Sequence, residues 1–392
     1  MTRSTRRGYD GVVLAVPVTV PYVRHSIRGA YWFIGRALAE LVRSAGVAKD
    51  AIDGLSLSSF TMLPDTAVGA TQHLGLSPRW LDHIPMGGAA GVVAIRRAAR
   101  AVQNGDADLV ACVAADTNAV DSFRASLGSF SQFARDATYP YGSGGPNAMF
   151  AFITANYMRT FGAKREDFGR ICVAQRANAL ATPWAMFKKP LSLDEYLAAR
   201  VIADPIHLFD CVMPCAGAEA FLVTTEARAR DLGLAYVHLR AATERHNAYH
   251  HDPIMTRGGW RVDRDDLFAQ AGVRPAEIDF VQFYDDYPVI VMMQYEDHGF
   301  CDKGEGPAFV AATPLTRDGG GLPTNTNGGQ LSAGQAGAAG GFIGVVETLR
   351  LLTDQPLGTP VPNASLALVS GFGMVTYDRC LCTGAVILSR AG

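Results

Sequence analysis

Several things are scarce in this sequence. Its 392 residues contain no apolar run near the roughly 18–20 residues that a membrane-spanning helix requires. Nothing therefore predicts a membrane span. Charge is sparse and balanced, with 35 basic and 37 acidic side chains and a formal net charge of −2. That balance lacks the basic excess with which proteins meet nucleic acid or an anionic membrane surface. Cysteine is scarce and unpatterned: Cys112, Cys172, Cys211, Cys215, Cys301, Cys380 and Cys382 sit in apolar contexts. An odd number without framework spacing argues against disulfides and for a reducing cytoplasm. Neither Cys211 with Cys215 nor Cys380 with Cys382 has a second cluster that would complete a zinc site, so no metal is expected. A secretory leader is not expected either. Arg3, Arg6 and Arg7 precede an apolar run from Val12 to Val23, but Pro17 and Pro21 interrupt it. No small-residue cleavage site follows before Arg24, so a first strand and loop are expected.

What is present is a large apolar fraction, 48% of the residues, enough for two cores. The most distinctive stretch is 324–344, rich in glycine and alanine and free of charge. It predicts a buried, tightly turned loop that feeds a packed helix. Glycine there lets backbone or ligand come close, and a helix N-terminus offers unpaired N–H groups to an oxyanion.

Two echoes divide the chain. Ala45-Gly46-Val47 is followed four residues later by Ile52-Asp53 and an apolar strand; Ala271-Gly272-Val273 is followed by Ile278-Asp279 and another. Gly88-Ala89-Ala90-Gly91 opens one apolar helix and Gly337-Ala338-Ala339-Gly340 opens a second, each leading to a strand. Strands alternate with helices and are continuously apolar, which predicts an α/β fold with its sheets covered on both faces. We expect two duplicated domains, 1–230 and 231–392. An insertion over 118–210, with Phe123, Phe130, Phe133, Tyr139 and Tyr141, is expected to lie over the site.

Together these residues resemble the thiolase superfamily, and within it the nonspecific lipid-transfer-protein branch that includes thiolase-like aldolases. The motifs are Gly88–Gly91 before a helix, Tyr157-Met158 with Gly162, Ala203-Asp204-Pro205, Phe209-Asp210-Cys211, Gln282–Tyr287, and Asn325-x-Asn327-Gly328-Gly329. The resemblance covers essentially the whole chain. It implies a five-layer αβαβα fold, a homodimer, an acyl-CoA thioester as substrate with no further cofactor, and in some members a small OB-fold (DUF35-type) partner chain. Pairing of two copies is expected through the strand Leu109–Ala114, whose side chains are apolar on both faces.

The departures from the family matter more. The position of the thiolase nucleophile is Gly88, the Gly-His-Pro histidine is replaced by Gln335, and no cysteine stands near Ser370-Gly371. Acyl transfer through a covalent acyl-cysteine needs those groups. Retro-aldol cleavage of a β-hydroxyacyl-CoA does not: it needs a base for the β-hydroxyl and donors for the thioester enolate. That cleavage is the expected chemistry. The alternatives are an acyltransferase of the acetyl-CoA acetyltransferase kind and a non-catalytic subunit.

Tyr284 takes the slot of the family's site histidine, with Asp285 beside it and Tyr287 following. Either aspartate of 285–286 could instead cap the following helix; Asp285 is assigned to the site. Gln335 is a candidate oxyanion donor. Asn325 and Asn327, with Gly88, Gly329 and Gly371, are candidates for binding the thioester, although turn formation also explains the asparagines. His246, His250, His251 and Asp252 look like a metal cluster, but Pro253 breaks the helix that would align them. His246 is kept as a candidate acid or base.

Overall fold

The computed structural model describes residues 7–119, 137–318 and 320–392. Phe123, Phe130 and Phe133 lie outside the described residues.

The run from Val12 is a strand, β1 (Val12–Val23). The helix Ala30–Ala45 buries Phe33, Ile34, Ala37, Leu38 and Leu41, a stripe at helical spacing, and ends on left-handed Gly46. A short turn leads into β2 (Gly54–Ser58), and β3 (Trp80–His83) follows. The helix Ala90–Asn104 and β4 (Leu109–Asp116) complete the first βα series. In the insertion, the helices Gly145–Phe161 and Arg165–Ala179 precede a small ribbon, β5 (Val201–Ala203) with β6 (Ile206–His207). The strands β7 (Ala216–Thr225) and β8 (Tyr236–His246) then cross to the second series. That series comprises the helix Trp260–Ala271, β9 (Phe280–Gln282), the helices Pro288–Asp297 and Gly329–Ala333, the helix Ile343–Leu352, β10 (Leu366–Thr376) and β11 (Arg379–Arg390).

The main sheet runs β3-β2-β4-β7-β1-β8-β11-β10-β9. Its halves repeat one pattern. In the first, β2 is parallel to β4, β4 antiparallel to β7, and β7 antiparallel to β1. In the second, β9 is parallel to β10, β10 antiparallel to β11, and β11 antiparallel to β8. Within the sheet, among the described residues, the halves join where Val13, Leu14 and Ala15 of β1 pair with His238, Val237 and Tyr236 of β8. The two sequence echoes fall on equivalent elements, since Gly46 and Gly272 are both left-handed helix ends before β2 and β9.

The helices that open at Gly88–Gly91 and Gly337–Gly340 lie between the halves, in a shared core that includes Val92, Val93 and Ile95 with Val345, Val346 and Leu349. A second core under Phe33, Ile34 and Leu38 covers the first half's outer face. A third covers the second half's outer face and takes in Met149, Phe150, Tyr157 and Phe168 of the insertion. Helices outside, sheet halves, and a central helix pair make the five layers. The central helices meet at their starts: a β-carbon on Gly91 would collide with the Gly341 carbonyl, and one on Gly341 with the Gly88 carbonyl. Only small residues permit that approach.

One expectation is corrected. Leu109–Ala114 belongs to β4, which is hydrogen-bonded on both sides, to β2 and to β7. Apolar side chains on both faces report coverage by helices, not an open edge. The open edge of the first half is β3, whose side chains are half-buried. Among the described residues no helix is long and apolar enough to cross a membrane.

Candidate functional site

The candidate site forms where β9 ends against the central helix pair. Beyond Gln282 the chain leaves the sheet as Phe283-Tyr284-Asp285-Asp286-Tyr287 and turns into the helix Pro288–Asp297. The buried Tyr284 ring lies directly on the α-carbon of Gly88, so a β-carbon there would fall inside it. The ring stacks parallel to Phe372, centroids 6.0 Å apart. The glycine at the nucleophile position is therefore the space Tyr284 needs. A cysteine at 88 and a tyrosine at 284 exclude each other in this packing.

The Tyr284 hydroxyl faces the Asp286 carboxylate and the Gln330 amide. Burial, then the negative charge of Asp286, raise its pKa well above the phenol range, so it holds its proton. Asp286 is half-buried, and its Oδ1 accepts from the Gln335 side-chain amide at 2.6 Å. Burial pushes its carboxyl up to about 7; the Tyr284 hydrogen bond opposes this and neighbouring Asp285 adds to it.

Asp285 points elsewhere. It accepts from the backbone N–H of Gln330 at 3.0 Å and of Leu331 at 3.2 Å, and from the Gln330 side chain at 3.3 Å. These N–H groups at the start of the buried helix Gly329–Ala333 have no partner within it, and Asp285 caps them from another segment. Burial raises its carboxyl to about 6 against the pull of those N–H groups. Gly329 leaves room for the carboxylate, since a β-carbon there would strike it. Between the two aspartates, it is Asp286 that reaches Tyr284 and Gln335.

The remaining candidates are placed as follows. Tyr287 stacks on Phe150 with centroids 4.0 Å apart, and its hydroxyl donates to Asn147 of the insertion. Both amide atoms of Asn325 are engaged by Phe283, accepting from its N–H at 2.7 Å and donating to its carbonyl at 2.9 Å. Asn327 accepts from Gly329 N–H at 2.9 Å and holds the turn. Gly371 packs on Ala89 and the Gly88 carbonyl, beside the Tyr284 ring. Among the described residues no hydrogen bond ties His246 to this group: it pairs at 2.9 Å with Glu244, beside Arg96 and Arg97, with its side chain half exposed. Among the described residues no group of histidine, cysteine and carboxylate side chains is arranged to hold a metal.

Sequence reasoning missed Asn147, Gln330 and the site position of Asp286. No local pattern separates Asp286 from Asp285, because the chain has left the strand and bends at 286 and 287. Cys211 reaches Asn147 at 3.8 Å and is half-buried, Cys215, Cys380 and Cys382 are buried, and burial raises all four thiols. None has the electropositive setting of a reactive thiolate.

Comparison with known proteins identifies the family. Residues 241–389 match the family model described as Thiolase C-terminal domain-like. The chain is 30% identical to a steroid side-chain-cleaving aldolase of Thermomonospora curvata, over 92% of this chain and 95% of that protein. It is 30% identical to 17-hydroxy-3-oxo-4-pregnene-20-carboxyl-CoA lyase of Mycobacterium tuberculosis, over 88% and 96% of the two. The solved structure of an Ltp2-ChsH2(DUF35) aldolase superposes with a TM-score of 0.82 and 26% identity, over 97% of this chain and 98% of that one. The chain belongs to the thiolase superfamily, to its branch of aldolases that cleave a carbon–carbon bond beside a CoA thioester.

Proposed function

We propose that the chain carries out retro-aldol cleavage of a β-hydroxyacyl-CoA with a bulky apolar group on the β-carbon, using Tyr284 and Asp286 in place of a cysteine. The observation that carries this reading is the Tyr284 ring on Gly88, its hydroxyl against a carboxylate poised near neutrality. A catalytic acid–base pair works best when one member titrates near the operating pH. Tyr284 keeps its own proton too firmly to act as a phenolate, so it relays. It takes the β-hydroxyl proton as its own passes to Asp286, which Gln335 holds in place. The Cα–Cβ bond then breaks, the β-carbon becomes a ketone carbonyl, and the electron pair moves into the thioester enolate. The donor assigned to the enolate oxygen is the Gly88 N–H in the turn before the helix Ala90–Asn104, because the Ala89 and Ala90 N–H groups are taken by the Met86 and Gly87 carbonyls. The stored proton returns to Cα and releases a shortened acyl-CoA.

The probe is 17-hydroxy-3-oxo-4-pregnene-20-carboxyl-CoA, the compound in the name of one relative. Its conversion into a ketone and a shortened acyl-CoA, read by liquid chromatography with mass detection, supports the proposal. Transfer of an acyl group to a second CoA thioester would instead support acyltransferase chemistry. The likeness to the Ltp2-ChsH2(DUF35) aldolase also motivates a DUF35-type partner chain, so the assay is run with and without one. A homodimer in the cytoplasm completes the proposal, with the open β3 edge as the pairing surface. Light scattering at micromolar concentration tests it, and a monomeric mass refutes it.

A further inference from the structure

The Tyr284 ring sits where the sheet can no longer hold it. The β9–β10 ladder pairs Ala367 with Phe280, Leu368 with Val281 and Val369 with Gln282, and ends there. Beyond it the residues of the two strands are no longer paired with each other. Buried backbone groups at such a gap need other partners. Phe283 finds both in the side chain of Asn325. The Tyr284 carbonyl accepts from the Gln294 side-chain amide at 2.7 Å. The same nitrogen donates to the Ile290 carbonyl at 3.0 Å, and the Gln294 oxygen accepts from the Ser370 hydroxyl. Ser370 is the first residue of β10 past the ladder and precedes Gly371, which packs on the 87–89 turn.

Gln294 is 0% exposed, on a helix whose neighbouring positions Ile290, Val291 and Met293 are buried and apolar. A buried amide costs stability unless it is fully hydrogen-bonded, and an apolar residue of that size would avoid the cost. Its three bonds join the chain at Tyr284, its own helix, and β10 next to Gly371. We infer that Gln294, with Asn325, is a positioning residue. The two amides replace the sheet where β9 parts from β10 and so fix the Tyr284 ring over Gly88. This rests on the reading of Tyr284 as the acid–base group, because the value of fixing the ring lies in aiming its hydroxyl.

The test combines structure and kinetics. Crystals of Gln294→Leu without substrate report the ring directly. The expected result is a ring displaced by about 1 Å or more from Gly88, a shift that costs a reacting geometry on the order of 10²-fold. On the pregnene-carboxyl-CoA probe, kcat falls by a factor of that order while KM changes little. In a Tyr284→Phe background the same substitution removes almost nothing further, because residues acting as one unit are non-additive. A ring that stays in place, or an equal loss in both backgrounds, overturns the inference. Where Gln294→Leu does not fold, Ser370→Ala and the isosteric Gln294→Glu take its place. The carboxylate cannot donate to the Tyr284 carbonyl, so Gln294→Glu must lose kcat more at pH 8 than at pH 6, and an unchanged pH profile counts against the inference. Failure of the underlying reading is separate: it appears as an unaltered rate for Tyr284→Phe alone.

Discussion

Each half of the molecule places an aspartate beyond or at the end of a parallel strand, β4 in the first half and β9 in the second, and uses it differently. In the first half Asp116, at the end of β4, accepts from the Ser59 hydroxyl, the Phe60 and Thr61 N–H groups, the Thr61 hydroxyl and the Ala338 N–H. Every one of those bonds closes structure: the carboxylate ties the loop after β2 to the small-residue turn of the other half. In the second half the loop after β9 is closed by side-chain amides and by Asp285, and Asp286 is left with one amide and the Tyr284 hydroxyl. A carboxylate surrounded by backbone donors is a fixture. One with two polar partners and a half-open face is able to exchange a proton. The duplicated scaffold is symmetric in its strands and asymmetric in which acids are satisfied, and that asymmetry is what marks the second half as the candidate site.

The largest expected effect breaks the second half only. Tyr284→Phe keeps the ring over Gly88 and removes the hydroxyl, so the fold persists and kcat falls about 10²–10⁴-fold, the usual loss for an acid–base group. Gly88→Ala attacks the same contact from the other side, forcing the ring away. It matches the loss in rate and costs about 1–3 kcal/mol of stability from overpacking, measured by chemical denaturation.

The neighbouring aspartates sharpen the contrast. Asp286→Asn is expected to lose activity to a similar degree while raising Tm at pH 8. The sign follows from the raised pKa. The folded protein holds this proton up to about pH 7, the unfolded chain only to about pH 4. Between those values the folded state binds more protons, so its stability falls as pH rises through that window. Removing the carboxyl removes that part of the fall, and thermal melts of both proteins from pH 4 to pH 8 read it. Asp285→Asn does the opposite kind of damage: loss of a helix cap costs about 1–2 kcal/mol, with a smaller change in kcat at a temperature where both variants are folded.

Asp116→Asn should behave as a fixture, losing about 1–3 kcal/mol through unsatisfied buried donors and leaving the pH–rate profile in place. A profile that shifts with Asp116 would break the comparison. The smallest effect is expected from the cysteines. Replacing Cys215, Cys380 and Cys382 by alanine, singly, should leave the rate per folded molecule nearly unchanged.

Much of the scaffold was legible because its geometry demands particular residues. The Ala-Gly-Val and Ile-Asp strings mark a left-handed helix end and the start of a strand, and both sit where that geometry occurs. The Gly-Ala-Ala-Gly strings mark two helix starts in backbone contact, which nothing larger permits. Tyr284 was legible as a departure from the family pattern at the end of β9. Less local facts were not. Apolar faces on β4 are the same whether a strand is central or at an edge, because neighbours along the sheet are bonded by backbone, which carries no side-chain signature. The division of labour between Asp285 and Asp286 depends on where residues 329–335 pass, some 45 positions along the chain. Asn325 has the same composition signal as a ligand-binding amide, and only its two bonds to Phe283 reveal a structural partner.

The central claim is that bond cleavage proceeds without an acyl-enzyme. The direct measurement is the intact mass of the 41.8 kDa chain during incubation with 17-hydroxy-3-oxo-4-pregnene-20-carboxyl-CoA, with the ketone product quantified in the same sample. The account predicts accumulating ketone and an unmodified protein mass at every time point. A protein mass increased by an acyl group, lost on substitution of a cysteine, would contradict it.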